Sequence, residues 1–115
     1  MALSSEARFQ IARADELLRK REARRQRLVA RSRHAAAVLR SDLGATRVWL
    51  FGSLNEAWFH EGSDVDIAVE GIAQSRYDEA VSFLETLFGE KVDLVLLDDA
   101  DAGLADHVRA TGEVL

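Results

Sequence analysis

Phe51-Gly52-Ser53, then ten residues, then Asp64-Val65-Asp66 is the stretch on which the reading of this chain turns. The run Arg47-Val48-Trp49-Leu50-Phe51 ahead of it has the texture of a buried strand that ends in a glycine-serine turn. Gly52 permits a close backbone approach. Ser53 to Phe59 is expected to be a short helix whose free N–H groups suit an anion. Glu61-Gly62-Ser63 makes a second turn, and a strand is expected from Asp64 to Val69. Side chains two apart in a strand share a face, so Asp64 and Asp66 converge. Two like charges that close call for a cation. Oxygen-only ligands favour a hard ion such as Mg2+, which completes its octahedron with waters and substrate phosphates. A phosphate-holding turn beside metal-binding carboxylates points to chemistry on a nucleoside triphosphate.

A third carboxylate is expected from a neighbouring strand. Lys91 to Leu97 reads as that strand, and Asp93 lies in it among Val92, Leu94, Val95, Leu96 and Leu97. A charge in so apolar a run needs a partner or a metal, which makes Asp93 the candidate. The competing reading is an aspartate near a strand edge that faces solvent. Asp98, Asp99 and Asp101 follow the strand and read as loop and helix-start residues. Between the strands, Gln74 to Phe88 is helical, with Ala80, Val81, Leu84, Leu87 and Phe88 inward. Leu104 to Ala110 is a closing helix that Gly112 ends. The whole is a small α/β unit with a mixed sheet of three or four strands, flanked by helices and preceded by one long α-helix.

That first helix is marked by composition. Ser5 to Arg40 holds no Gly and no Pro and is rich in Ala, Leu, Arg and Glu. Ser4 or Ser5 can cap its start, and Asp42 to Gly44 mark its stop. Phe9, Ile11, Ala14, Leu17 and Leu18 form one apolar patch; Leu28, Ala35, Val38, Leu39 and Leu43 form another. Residues 19–27 between them have almost nothing to bury. The C-terminal patch is expected to pack on the body, while the N-terminal part projects or pairs with another chain. Two regions are expected, a basic helix over 1–43 and a compact domain over 44–115. The charge divides the same way: residues 1–47 hold 12 Lys/Arg against 5 Asp/Glu, and residues 48–115 hold 3 against 15. A basic arm on an acidic body points to a partner contact, to self-association as a homo-oligomer through the helix, or to nucleic-acid attraction, and a long helix with solvated arginines is the competing reading. The arm has no interleaved aromatics for stacking on bases, so nucleic acid is not the expected partner.

A chain of 115 residues is one domain by size, and 48% hydrophobic content can bury a small core. It has no cysteine, hence no disulfide and no thiolate metal site. The start, Met-Ala-Leu-Ser-Ser-Glu, lacks a secretory pattern, and no apolar run is long enough to span a bilayer. A cytoplasmic protein without membrane contact is expected. His34, His60 and His107 share no ligand spacing. Trp49 and Trp58 read as core and helix-packing residues, although Trp58, near the site, could border a base.

These residues resemble the DNA polymerase beta-type nucleotidyltransferase superfamily, and within it the minimal nucleotidyltransferases (MNT). That family carries Gly-Ser, a ten-residue gap, Asp-x-Asp, and a later acidic residue, matched here by Gly52, Ser53, Asp64, Asp66 and Asp93. The tail from Val108 to Leu115 is similar to the family's closing helix and glycine-ended turn. The resemblance covers about residues 44–115. It departs in one respect: many relatives have an arginine soon after the Gly-Ser turn, whereas residues 54–63 here contain no Lys or Arg.

What the resemblance implies is a metal-dependent transfer of a nucleoside monophosphate. Asp64 and Asp66 would hold both metal ions, and Asp93 the ion nearer the acceptor. Gly52 and Ser53, with Ser63, would hold the nucleotide's phosphates. ATP and Mg2+ are the expected cofactors. MNT proteins resembling this one are antitoxins beside HEPN-domain toxins, so AMP transfer to such a toxin is the leading expectation. The alternative is an antitoxin that masks the toxin by binding, with a vestigial nucleotide site. A transferase for small molecules is a third reading, and it normally needs an additional domain.

Overall fold

The computed structural model describes residues 3–52 and 65–115. Helix α1 runs from Ser5 to Asp42, and the Ser4 hydroxyl accepts from the Ala7 amide at 3.0 Å. A side-chain oxygen at that position satisfies one of the four amides that a helix start leaves unpaired. Only the second half of α1 is buried, through Leu28, Ser32, Ala35, Ala36 and Leu39. Ser32 lies among apolar groups because its hydroxyl donates to the Leu28 carbonyl at 2.8 Å, one turn back. The first half projects, with Phe9, Ile11, Leu17 and Leu18 about half exposed or more. The molecule accordingly measures 62 × 29 × 18 Å.

Strand β1 spans Arg47–Phe51, β2 Val65–Glu70, β3 Val92–Leu96 and β4 Glu113–Val114. Among the described residues they form one mixed sheet in the order β3-β2-β1-β4. β1 is antiparallel to both β2 and β4, and β2 is parallel to β3. The parallel pair is joined through a 3-10 turn over Gln74–Arg76 and helix α2, Tyr77–Phe88. Helix α3, Ala102–Thr111, leads into β4.

Alternation along the strands divides the core. Val48, Leu50, Val65, Ile67, Val69, Val92, Leu94 and Leu96 face one side, against α1 and the Ala80, Leu84 and Phe88 face of α2. Trp49 and Ala68 face the other, against Leu97 and the Ala105 and Val108 face of α3, with Phe51 and Val95 partly buried there. Polar clamps hold the layers. Arg24 Nη2 donates to both carboxylate oxygens of Glu90, at 2.9 and 3.0 Å, and Arg109 Nε donates to Glu70 at 2.9 Å. Arg40 donates to the Leu115 carbonyl at 3.0 Å.

The expected elements are present with shifted ends. The α2 segment begins as a 3-10 turn at Gln74, and α3 starts at Ala102, two residues early, because Asp101 caps it by accepting from the Gly103 amide. β2 runs one residue further, to Glu70. Within the apolar patch of α1, Val38 is only partly buried, while Ser32 and Ala36 are fully buried. The helix expected over 53–59 and the turn over 61–63 lie outside the described residues.

Candidate functional site

The site is built where β1 ends and β2 and β3 begin. Because β1 is antiparallel to β2 and β2 parallel to β3, one row of register partners crosses the sheet here: Phe51 opposite Asp66, and Asp66 opposite Asp93. Neighbouring strands lie about 4.8 Å apart, and register partners share a face. That face is the α3 side, since Trp49, Ala68 and Val95 form the next row. The two carboxylates are therefore neighbours at one end of the sheet, with Phe51 as an apolar flank.

Gly52 completes the corner. Its φ of +76° turns the chain sharply out of β1, a conformation that a side chain disfavours. A Cβ built on Gly52 would collide with the Asp66 carboxylate oxygen Oδ2. The missing side chain is what lets the acidic group lie against the turn. Gly52, Asp66 and Asp93 are thus brought together. Ser53, Ser63 and Asp64, the other members of the expected set, lie outside the described residues, as do Trp58 and His60.

One premise of the sequence reading needs correcting. Asp93 was expected to need a partner because its strand is apolar, but it is exposed. β3 is the outer strand of the sheet among the described residues, and position 93 faces away from the α1–α2 core. Burial therefore forces no cation onto Asp93; its place beside Asp66 is the observation that matters. Two carboxylates at this spacing repel by about 1 kcal/mol in water and more near a low-dielectric surface. They offer only oxygen donors, the set that suits Mg2+. The donor chemistry of this corner fits a hard divalent ion. Among the described residues no group of three potential ligands is present, and Asp64 is not among those residues.

Sequence reasoning missed a groove along the edge of β3 that is outermost among the described residues. It is about 500 Å3 in volume, with Leu94, Leu96 and Leu104 on its walls and Asp78, Asp99 and Asp101 at its rim. The only sequence signal is the cluster of aspartates after β3, which reads as loop and helix start. Asp98 itself is spoken for, accepting from the Gly71 amide at 2.8 Å. Sequence reasoning also missed β4, because two residues after a helix carry no periodicity.

Comparison with known proteins follows this geometry. A family model described as "Polymerase beta, Nucleotidyltransferase" matches residues 35–115. No curated protein matches the chain significantly. Among solved structures, a minimal nucleotidyltransferase is 26% identical with a TM-score of 0.69, covering 79% of this chain and 95% of its own. A toxin-antitoxin structure with AMP-PNP is 29% identical with a TM-score of 0.60, covering 68% of this chain and 66% of its own. A tri-AMPylated Shewanella oneidensis HEPN toxin in complex with MNT antitoxin is 22% identical with a TM-score of 0.51, covering 82% and 70%, a likeness of fold. Among the described residues no helix is long and apolar enough to cross a membrane.

Proposed function

The chain belongs to the polymerase beta nucleotidyltransferase family, and we propose that it is an MNT antitoxin that transfers AMP from ATP to a hydroxyl of a partner HEPN-type toxin. The observation that carries this reading is the Gly52–Asp66–Asp93 corner, where two carboxylates in register meet a turn that only glycine can make so close. The similarity to a toxin-antitoxin structure with AMP-PNP supports the nucleotide and the class of partner.

In this reading the protein's residues bind and orient. Asp66 and Asp93, with Asp64, would hold Mg2+ by their carboxylate oxygens. Bound there, the ion would supply charge neutralisation for the triphosphate and favour deprotonation of the acceptor hydroxyl. Gly52, Ser53 and Ser63 would hold the β- and γ-phosphates through backbone and hydroxyl groups. Asp93, exposed at the outer strand, faces the acceptor and takes its proton. The acceptor oxygen bonds to the α-phosphorus as the bond to the β-phosphate oxygen breaks, and pyrophosphate leaves. Transfer then depends mainly on positioning and charge, as expected for phosphoryl chemistry.

A second reading, an antitoxin that acts by binding alone, is favoured by one fact: residues 54–63 carry no Lys or Arg to neutralise a triphosphate. The two readings separate in one experiment. Incubation of the toxin with this chain and ATP labelled at the α-phosphate should label the toxin. The Asp64→Asn, Asp66→Asn double variant should fold and bind the toxin but transfer no label. Label that persists in the double variant rules out the transferase, and label absent from both leaves the binding reading in place.

A further inference from the structure

Among the described residues β3 is paired on one side only, and its outer edge runs from Asp93 at the carboxylate corner to the far end of the sheet, where α2 and α3 begin. That edge is the floor of the 500 Å3 groove, with the start of α2 on one side and the start of α3 on the other. A strand edge presents alternating amides and carbonyls, a template for an added strand; here the Leu94 carbonyl accepts from the Tyr77 hydroxyl at 3.4 Å, a long bond that an added strand would replace. The volume falls within the range of pockets that hold ligands. Leu94, Leu96 and Leu104 supply apolar contact, and Leu104 is 39% exposed. The charged groups of the lining are all acidic: Asp78, Asp99 and Asp101.

The groove does not include Asp93, but its lining comes within one residue of it. Leu94 follows Asp93 directly, and Leu96 lies three residues beyond Asp93, about 10 Å along the strand. A chain laid along this edge would pass Asp93 after about three residues. Three aspartates repel phosphate polymers and the anionic nucleotide, so neither is the occupant. They attract cations, and the strand edge selects among cations for a polypeptide rather than a small amine.

We propose that this groove is the acceptor subsite, taking an extended, positively charged segment of a protein as an added strand on β3 and presenting its hydroxyl side chain at Asp93. The inference rests on the transferase reading for its role and on the groove's own geometry for its ligand. Specificity for the acceptor then resides in charge and backbone pairing rather than in a closed pocket.

The probe is a synthetic peptide alternating lysine with tyrosine, with a glutamate–tyrosine peptide as its counterpart. Binding is followed by fluorescence anisotropy and by amide hydrogen exchange. The lysine peptide should bind in a salt-sensitive manner, protect the amides of Leu94 to Leu96, and outbind spermidine; the glutamate peptide should not bind. The Asp78→Asn, Asp99→Asn pair should weaken it at least about fivefold, and so, separately, should Leu104→Lys, whose site is exposed enough to accept the change. Mg2+–ATP affinity, measured on the same variants, should stay at the wild-type value. Equal binding of both peptides, equal binding of spermidine, protection elsewhere, or unchanged affinity in both variants would overturn the proposal. Loss of Mg2+–ATP binding in the wild-type chain would instead overturn the transferase reading, which keeps the two failures distinct.

Discussion

Replacing Gly52 with alanine should damage the corner in two separable ways. The first is the backbone: at φ +76° a Cβ costs about 1–2 kcal/mol, of which the stiffer unfolded chain returns about 0.4–1 kcal/mol. The net is about 1 kcal/mol. The second is the collision, because the new methyl would occupy the place of Asp66 Oδ2 and drive the carboxylate outward. Gly89 is the control, with φ +69° and nothing within 4 Å of a built Cβ. Gly89→Ala should therefore report the backbone effect alone, roughly 4–8 °C in Tm for a domain of this size, with nucleotide binding intact. Gly52→Ala should lose at least as much stability. It should also weaken Mg2+–ATP about 10- to 100-fold, the loss of one charge-assisted contact of about 1.5–3 kcal/mol. Differential scanning calorimetry and titration calorimetry read the two effects. Wild-type Mg2+–ATP affinity in Gly52→Ala would refute the idea that this glycine exists to admit Asp66, as would an equal binding loss in Gly89→Ala.

Other consequences follow from the same geometry. Asp66→Asn removes one carboxylate of the pair across β2 and β3, so the stabilisation by added Mg2+ expected of the wild type should disappear in a thermal-shift titration. Leu39→Ala, at a position with no exposure, should cost about 2–5 kcal/mol in urea unfolding, whereas Leu17→Glu or Leu18→Glu on the projecting half of α1 should stay within about 0.5 kcal/mol. Hydrogen bonds from Arg76 hold the Glu79 carboxyl below its ordinary range, so its contribution is present above the unfolded-state value and is lost as pH falls through the folded-state one. Glu79→Gln should thus lower Tm slightly near neutrality, with the gap to wild type closing between about pH 5 and about pH 3.

The parts of the fold written plainly in the sequence are those where periodicity and punctuation agree. α1 follows from a run without Gly or Pro that Ser4 caps, and α2 from its inward Ala80, Leu84 and Phe88 before Gly89. The long apolar strands β1, β2 and β3 were legible for the same reason. β4 was not, since Glu113–Val114 becomes a strand only through pairing with Trp49 and Leu50, a tertiary effect. The apolar run around Asp93 suggests burial, which the structure does not bear out; register, which no local pattern encodes, is what sets Asp93 beside Asp66. The groove was illegible because it is made by α2, β3 and α3 together, and its aspartates look in sequence like ordinary turn residues.

The most direct test of the account is titration calorimetry of Mg2+–ATP into the wild-type chain, Asp66→Asn and Asp93→Asn. The account predicts binding that requires Mg2+ in the wild type and is weakened at least about tenfold by either substitution, each removing one ligand of a shared ion. Nucleotide bound equally well by all three proteins, or equally well in the presence of a chelator, would contradict it.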